Sequence, residues 1–565
     1  MDPTSFLDAY RHYSKYGDIV SVENMLRFWR NAIELNVDFD IMPIDVPGVL
    51  SEVFSQAVRR GHEAAVRVML DAGVDATRPE AGDPGYSPLL AATEEGYTDM
   101  ARLLWNAVGP QGRFYQPSRR QPSNAMPSCL VVAAFNGHAD LVAEFLDLFE
   151  GWSSLEKDQA LVQAAANWHD KVVLVLQTWF LFESDVIQCA LERAINIGGR
   201  DHCNGIAVQR RDNRIPLSQD NQIRLVRRLL DAGADPNRTS STMRGFPIHE
   251  SYTRIEILKL LLERGADPHA QDDRGETVLH RAAVCFNKKL PGRHFREPVN
   301  KEEHLEVLQT LLQHGASPDT PDNKGVTPLH LLADTGTPNT LRLCLKHCAD
   351  PSSALRLLNQ FGESLLHYAA AAGNRDTVEY LLDQGLDVNQ ATANKWTPLL
   401  CVLTPADDHY KGQTAARIAV ARLLLDRGAS ARVITDEGWT PLHALATLRD
   451  FDNPEEERVG VAAFAKELIG KGTPVDEEAS PLRYCSTMFF SSNLYGAWGH
   501  RMTEAVSRLA GRFGEGRVQA YDDYELTPLH WACRTGAMDI FDVLMRHFAR
   551  KEQTQPVADE GEVNR

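Results

Sequence analysis

The chain has 565 residues, 43% hydrophobic and 24% charged, a composition that excludes a disordered protein. No apolar run approaches the roughly 18 residues of a membrane span, and nine cysteines, an odd number with no Cys-x-x-Cys pair, argue against a disulfide framework. The net charge of −18 makes a field that repels nucleic acid and anionic membranes.

The N-terminus, M-D-P-T-S-F-L-D-A-Y-R-H-Y, has acidic and polar residues where a signal peptide needs a basic start and an apolar run. A cytoplasmic or nuclear protein without membrane insertion is therefore expected. Amphipathic pieces follow at Ala57–Asp75 (A-V-R-R-G-H-E-A-A-V-R-V-M-L-D-A-G-V-D), Ser87–Leu104 and Ala133–Leu148, then at Leu161–Trp179 and Val186–Asn237. Between the second and third lies a Pro- and Gly-rich stretch from Val108, V-G-P-Q-G-R-F-Y-Q-P-S-R-R-Q-P-S-N-A-M-P. It reads as a long hairpin or flexible loop, or else as a peptide-like ligand or a modification site at Ser118 or Ser123.

From Gly245 onward one phrase returns. It is clearest in N-K-G-V-T-P-L-H-L-L-A-D-T-G, Asn323 to Gly336, and recurs at Thr440-Pro441-Leu442-His443 and Thr527-Pro528-Leu529-His530. Looser copies read Thr277-Val278-Leu279-His280, Ser364-Leu365-Leu366-His367 and Thr397-Pro398-Leu399-Leu400. Behind each comes a second piece, as in L-L-E-R-G-A-D-P-H from Leu261 and L-L-D-Q-G-L-D-V-N from Leu381. Thr327 suits a helix N-cap, and Pro328 suits the first helical position, where a missing N–H is no loss. Gly336 would end that short helix, a second amphipathic helix follows, and the Gly after its Leu-Leu supplies a left-handed cap. Two such helices cannot bury a core alone, so the units must stack.

With these residues in view, the sequence resembles the ankyrin repeat family, whose T-P-L-H-x-A and G-A-D-x-N signatures stand nearly intact from about Gly245 to Ala549. The resemblance implies an all-α solenoid of stacked helix–turn–helix units with β-hairpin-like tips, in about 12 to 14 repeats. It divides the chain into capping helices at 1–48, degenerate repeats at 49–244 and well-matched repeats at 245–475. A divergent repeat or interruption follows at 476–524, then a last repeat at 525–549 and a polar tail at 550–565. It also implies that His280, His330, His367, His443 and His530, with His249 as a degenerate copy, tie their helix starts to neighbouring backbone and to the Thr hydroxyl. Stacked copies place these imidazoles in a row, whereas metal ligands must converge on a point.

Several copies carry extra residues between their two helices, near Asn196–Asp220, Phe286–Glu302, Thr404–Thr414 and Leu448–Val459. The first two are basic and the last acidic, which fits either a solvated surface or a charged edge that orients a partner. Cys348 stands where a cap Gly belongs, and Lys395 and Glu525 stand at the Gly before the Thr, each at a cost of about 1 kcal/mol if φ stays positive. Cys344, His347 and Cys348 share a predicted helix without a second ligand pair, so no metal is assigned, and no motif calls for a cofactor or a catalytic residue.

Trp396 and Trp439 directly precede the Thr position in consecutive repeats. The resemblance puts them at hairpin tips, about 10 Å apart, where ankyrin proteins contact partners. With Asp436, Glu437 and Tyr524, and with Arg274 and Lys324 on earlier tips, they are the candidate partner-binding residues. The alternative is that each Trp folds over its neighbour and seals the stack. The expected function is a non-catalytic scaffold or adaptor that binds a protein partner on its concave surface. The alternative is an enzyme or accessory biosynthetic protein with a pocket built from 108–126, 196–220 or 475–500.

Overall fold

The computed structural model describes residues 3–35, 45–77, 87–110, 128–195, 219–239, 245–284, 301–404, 414–448, 455–477, 479, 527–529, 532 and 537–554. Tyr524, Glu525 and His530 lie outside them, as do most of the inserted loops and nearly all of 476–524.

The described residues are all-α, without a regular strand, and their helices come in pairs. These are α1 (Pro3–Tyr16) and α2 (Ile19–Glu34), α3 (Val46–Arg59) and α4 (Glu63–Asp71), α5 (Pro88–Glu95) and α6 (Thr98–Val108), and α7 (Cys129–Asn136) and α8 (Ala139–Leu148). Next are α9 (Ser154–Ala166) and α10 (Asp170–Trp179), then α11 (Ser184–Ile195) and α12 (Gln219–Asp231). A short 3₁₀ turn, Pro247–Glu250, precedes α13 (Ile255–Glu263). The run continues with α14 (Val278–Val284) and α15 (Lys301–Gln313), then α16 (Pro328–Thr335) and α17 (Pro338–Leu345) with the single turn α18 (Pro351–Ala354). It closes with α19 (Leu365–Ala372) and α20 (Arg375–Asp383), α21 (Pro398–Leu403) and α22 (Thr414–Asp426), α23 (Pro441–Thr447) and α24 (Glu455–Gly470), and α25 (Met538–Thr554).

Two compact units contain them: Met1–Ser251 with Glu256–Ala266, and Tyr252–Ile255 with Asp267–Arg565. Inside each unit, first helices pack on first helices and second on second. In the first unit α3, α5, α7, α9 and α11 form one row, and α4, α6, α8, α10 and α12 the other. In the second unit the rows are α14, α16, α19, α21, α23 and α15, α17, α20, α22, α24. The core is this double row of Leu, Val and Ala, exemplified by the fully buried Leu329, Leu365, Leu399 and Leu442 on successive first helices. The inserted loops fall where sequence expected them, between α11 and α12, α14 and α15, α21 and α22, and α23 and α24. A length change there leaves both packed rows untouched.

Local chemistry sets the helix ends. Ser87 accepts from the Leu90 N–H ahead of Pro88, and Gly96 closes α5 at φ +78°. Ser153 and Glu156 form a reciprocal capping box on α9. Glycines after the second helices, such as Gly265, Gly315, Gly385 and Gly428, all have positive φ. Cys348 is not left-handed; the chain there turns instead into α18, so the expected strain is avoided by remodelling. Lys395 keeps the left-handed conformation, at φ +62°. Trp168 does the same at φ +60°, where its indole donates to the Ala194 carbonyl.

Candidate partner-binding edge

Five repeats of the second unit begin, among the described residues, with a tight turn whose backbone is closed by its own residues. Asp272 N–H bonds to Glu276 O at 3.0 Å, and Asp322 to Val326, Asn359 to Glu363, Thr392 to Trp396 and Thr435 to Trp439 repeat the contact. The side chain of the leading residue completes the turn: Asp322 Oδ1 accepts from Lys324 and Val326 N–H, and Asn359 Oδ1 from Phe361 and Glu363 N–H. At Asp272, burial opposes ionisation, but the bond from Arg281 and the N–H groups of Arg274 and Glu276 outweigh it and hold the carboxyl below its usual range. Neighbouring turns are then stitched together. Asn323 N–H donates to Arg274 O, Gln360 to Lys324 O and Ala393 to Phe361 O, each at 3.0 Å, and Asp436 to Asn394 O at 3.3 Å. The tips form one backbone ladder.

Beneath it runs the histidine row. Nδ1 of His280, His330, His367 and His443 accepts from the N–H of the Thr or Ser three residues earlier, at 3.0 to 3.2 Å. The hydroxyl of the same residue lies 2.8 to 2.9 Å from the same nitrogen. An accepting Nδ1 puts the proton on Nε2. Nε2 then donates to the next turn: His280 to Val326 O at 3.1 Å and His367 to Trp396 O at 3.2 Å. At His330 the equivalent Nε2 bond is not made within hydrogen-bond geometry, although the Glu363 carbonyl offsets part of its burial. Burial pushes His330 and His367 down to about 4. His280 and His367 are thus neutral struts between repeats, and His330 is a neutral brace of its own helix start.

The tryptophans are not an exposed patch. Trp396 is 6% exposed and Trp439 0%, and their rings are 6.1 Å apart instead of the expected ~10 Å. The indoles lean along the stack, Trp439 lying against both Trp396 and the His443 ring at 5.9 Å. The backbone N–H groups of Trp396 and Trp439 donate to the Thr392 and Thr435 hydroxyls. This geometry is that of a seal. Of the other candidates, Arg274, Lys324 and Asp436 are exposed at tips and Glu437 is half-buried. Asp436 pairs with Lys395 at 2.7 Å, and Glu437 accepts from Asn394 at 3.3 Å. Tyr524 is outside the described residues.

A second row was missed from sequence: side chains near the starts of second helices reach first-helix carbonyls. His138 Nε2 meets Glu94 O, His169 meets Phe135 O and His304 meets Ala282 O, at 2.7 to 2.9 Å. The buried Arg417 donates to Val402 O and Ala371 O. The usable signal was the Gly-His dipeptide of Gly61-His62 and Gly137-His138. A Cβ on Gly96 or Gly137 would lie 2.5 Å from the next repeat's histidine, so glycine there makes room for the strut.

Family models for ankyrin repeats match residues 247–287 and 299–392, and a single-repeat model matches 274–323 and 524–552. These segments are ankyrin repeats. No curated protein matches it. The matched repeats coincide with the helix pairs from α13 to α20 and with α25. In this ankyrin stack Cys344 and Cys348 are buried, Cys348 Sγ lying 3.6 Å from Cys344 O, and burial pushes both thiols up to about 12. A groove of about 660 Å³ lies between α1 and α2, lined in part by His12, Asp18 and Ser21. These three do not form a nucleophile–base relay. Asp18 and Ser21 both address His12 Nδ1, at 2.6 and 3.1 Å, so no second ring nitrogen faces the serine. Segments 108–126, 196–220 and 475–500 lie largely outside the described residues.

Proposed function

We propose that this protein is a non-catalytic scaffold or adaptor whose partner docks along the tip ladder of the second unit. Ankyrin repeats are in general protein–protein interaction modules, and the observation that carries the reading is the row of side chains on that ladder. Arg274 and Lys324 stand on consecutive tips, Phe361 is exposed on the next, and Asp436 with the half-buried Glu437 stands on the last described tip. Rigid backbone bonds hold each tip, so a partner loses little entropy in organising them. The charge changes sign along the row, which supports a partner segment whose acidic part meets Arg274 and Lys324 and whose basic part meets Asp436. The buried Trp396 and Trp439 support the tips from below.

The test is to identify partners by proximity labelling with the full chain, then to measure their affinity for the Arg274→Glu, Lys324→Glu double variant. Both residues are exposed, so melting should not change. Affinity should fall at least about tenfold, chiefly through a slower on-rate and with loss of salt dependence. Equal affinity at both low and high salt would remove this edge from consideration.

A further inference from the structure

We propose that the connector between α10 and α11, in the first unit, is a separate docking point that takes an amphipathic, cationic segment of a partner protein. It shares no residue with the edge described above. Where a polar turn is usual, the chain reads Trp179-Phe180-Leu181-Phe182-Glu183. Trp179 is 46% exposed and Leu181 103%, and Leu155, in the first turn of α9, is 60% exposed.

These apolar groups are displayed by an ordered backbone. Phe180 N–H bonds to Leu176 O at 2.9 Å, and Glu183 O accepts from Val186 and Ile187 N–H at 3.0 and 3.1 Å. The Phe180 and Phe182 rings meet edge to face at 6.2 Å, so both brace the turn and Leu181 is left at its apex. Lys157 Nζ sits 4.3 Å over the Phe180 ring, which brings the start of α9 beside the connector. A fully exposed leucine next to an exposed tryptophan offers apolar surface of the kind that contact sites use.

Charge selects the occupant. Glu183 ends the connector, Asp185 follows in the first turn of α11, and Asp158 of α9 lies close enough to feel the Glu183 charge. Lys157 is engaged with the Phe180 face, and Arg238 pairs with Asp185 at 2.5 Å. Burial raises the Asp158 carboxyl, and after the Ser154 bond that lowers it, the Glu183 charge raises it further. Asp158 and Glu183 thus repel each other, and Glu183 accommodates an added cation. With the whole chain at −18, an acidic peptide or an anionic membrane is repelled. A helix with leucines on one face and lysines beside them fits both the apolar apex and the acidic rim.

The probe is a fluorophore-labelled 14-residue peptide of leucine and lysine in amphipathic order, with a leucine–glutamate peptide and a serine–lysine peptide as controls. Binding to the full chain is read by anisotropy at physiological salt. The leucine–lysine peptide should bind and both controls should bind at least about tenfold more weakly. Trp179→Ser with Leu181→Ser should raise the Kd at least tenfold, and Glu183→Lys severalfold, with unchanged circular dichroism and melting. The Arg274→Glu, Lys324→Glu variant should bind the peptide like the wild type, which separates this proposal from the previous one. Equal binding by the Trp179/Leu181 variant would overturn it, attributing the attraction to diffuse net charge. It also fails if Leu181→Ser dissolves a wild-type dimer in sedimentation, or if phosphatidylcholine vesicles bind with the same dependence on Leu181.

Discussion

Protonating His330 would place a charge where burial is complete and where Nδ1 already accepts an N–H bond. Folding therefore holds His330, His367 and His304 neutral down to about 4, whereas their ordinary value is 6.5. Between those values the unfolded chain binds more protons than the folded one. The stability these residues contribute is thus complete above about pH 6.5, falls as pH drops toward 4, and is constant below. For each histidine the loss is on the order of a few kcal/mol. Melting temperatures taken from pH 7.5 to 4.5 should decline steadily, and a flat profile would contradict the neutral-strut assignment. His330→Ala should cost about 1 to 3 kcal/mol by leaving the Thr327 groups unpaired, with partner binding retained at low temperature. A variant that melts normally but loses a biochemical activity would point to catalysis instead. This role was legible because half of it is local: Thr327 and His330 are three residues apart. The Nε2 acceptor of His280, Val326, is 46 residues away, and only the stack brings it near.

Turns obey the same division between local and distant causes. Gly325 has φ +76°, and a Cβ there would lie 3.0 Å from the Gln360 nitrogen, the donor of a tip-to-tip bond. Gly325→Ala should therefore destabilise by about 1 to 2 kcal/mol, from left-handed strain plus a displaced rung. Lys395 holds the equivalent place at φ +62° and projects to Asp436. Lys395→Gly relieves about 1 kcal/mol of strain but loosens the unfolded chain and removes an exposed ion pair, so its melting temperature should barely move. If Gly325→Ala proved as mild as Lys395→Gly, the ladder would not be a source of stability. Helix pairs and insertion points were readable because Thr-Pro starts and Leu-Leu-x-x-Gly ends are short-range codes. The seating of Trp396 and Trp439 was not, since repeat spacing fixes where backbones lie but not which way an indole leans. Nor was the display of Leu181, because W-F-L-F alone is equally a core strand or a buried turn, and burial depends on what stacks above it.

At the scale of the whole molecule, a stacked unit has no single centre, and each repeat touches only its neighbours. Damage should therefore stay near its origin. Trp439 is fully buried against Trp396 and His443, so Trp439→Ala opens a cavity worth about 3 to 5 kcal/mol. The rows α19, α21, α23 and α20, α22, α24 adjoin it and share its packing. Hydrogen exchange followed by mass spectrometry should accelerate in those helices, while α3 to α10, which belong to the other compact unit, keep wild-type protection. Partner affinity measured below the melting range should change less than in the Arg274→Glu, Lys324→Glu variant, because the indoles stand under the tips and not on them. If exchange instead rose uniformly along the chain, the two units would unfold as one cooperative body and nearest-neighbour stacking would be the wrong account of its stability. If exchange stayed normal while binding vanished, Trp396 and Trp439 would be contact residues after all, reached by a partner that opens the tips.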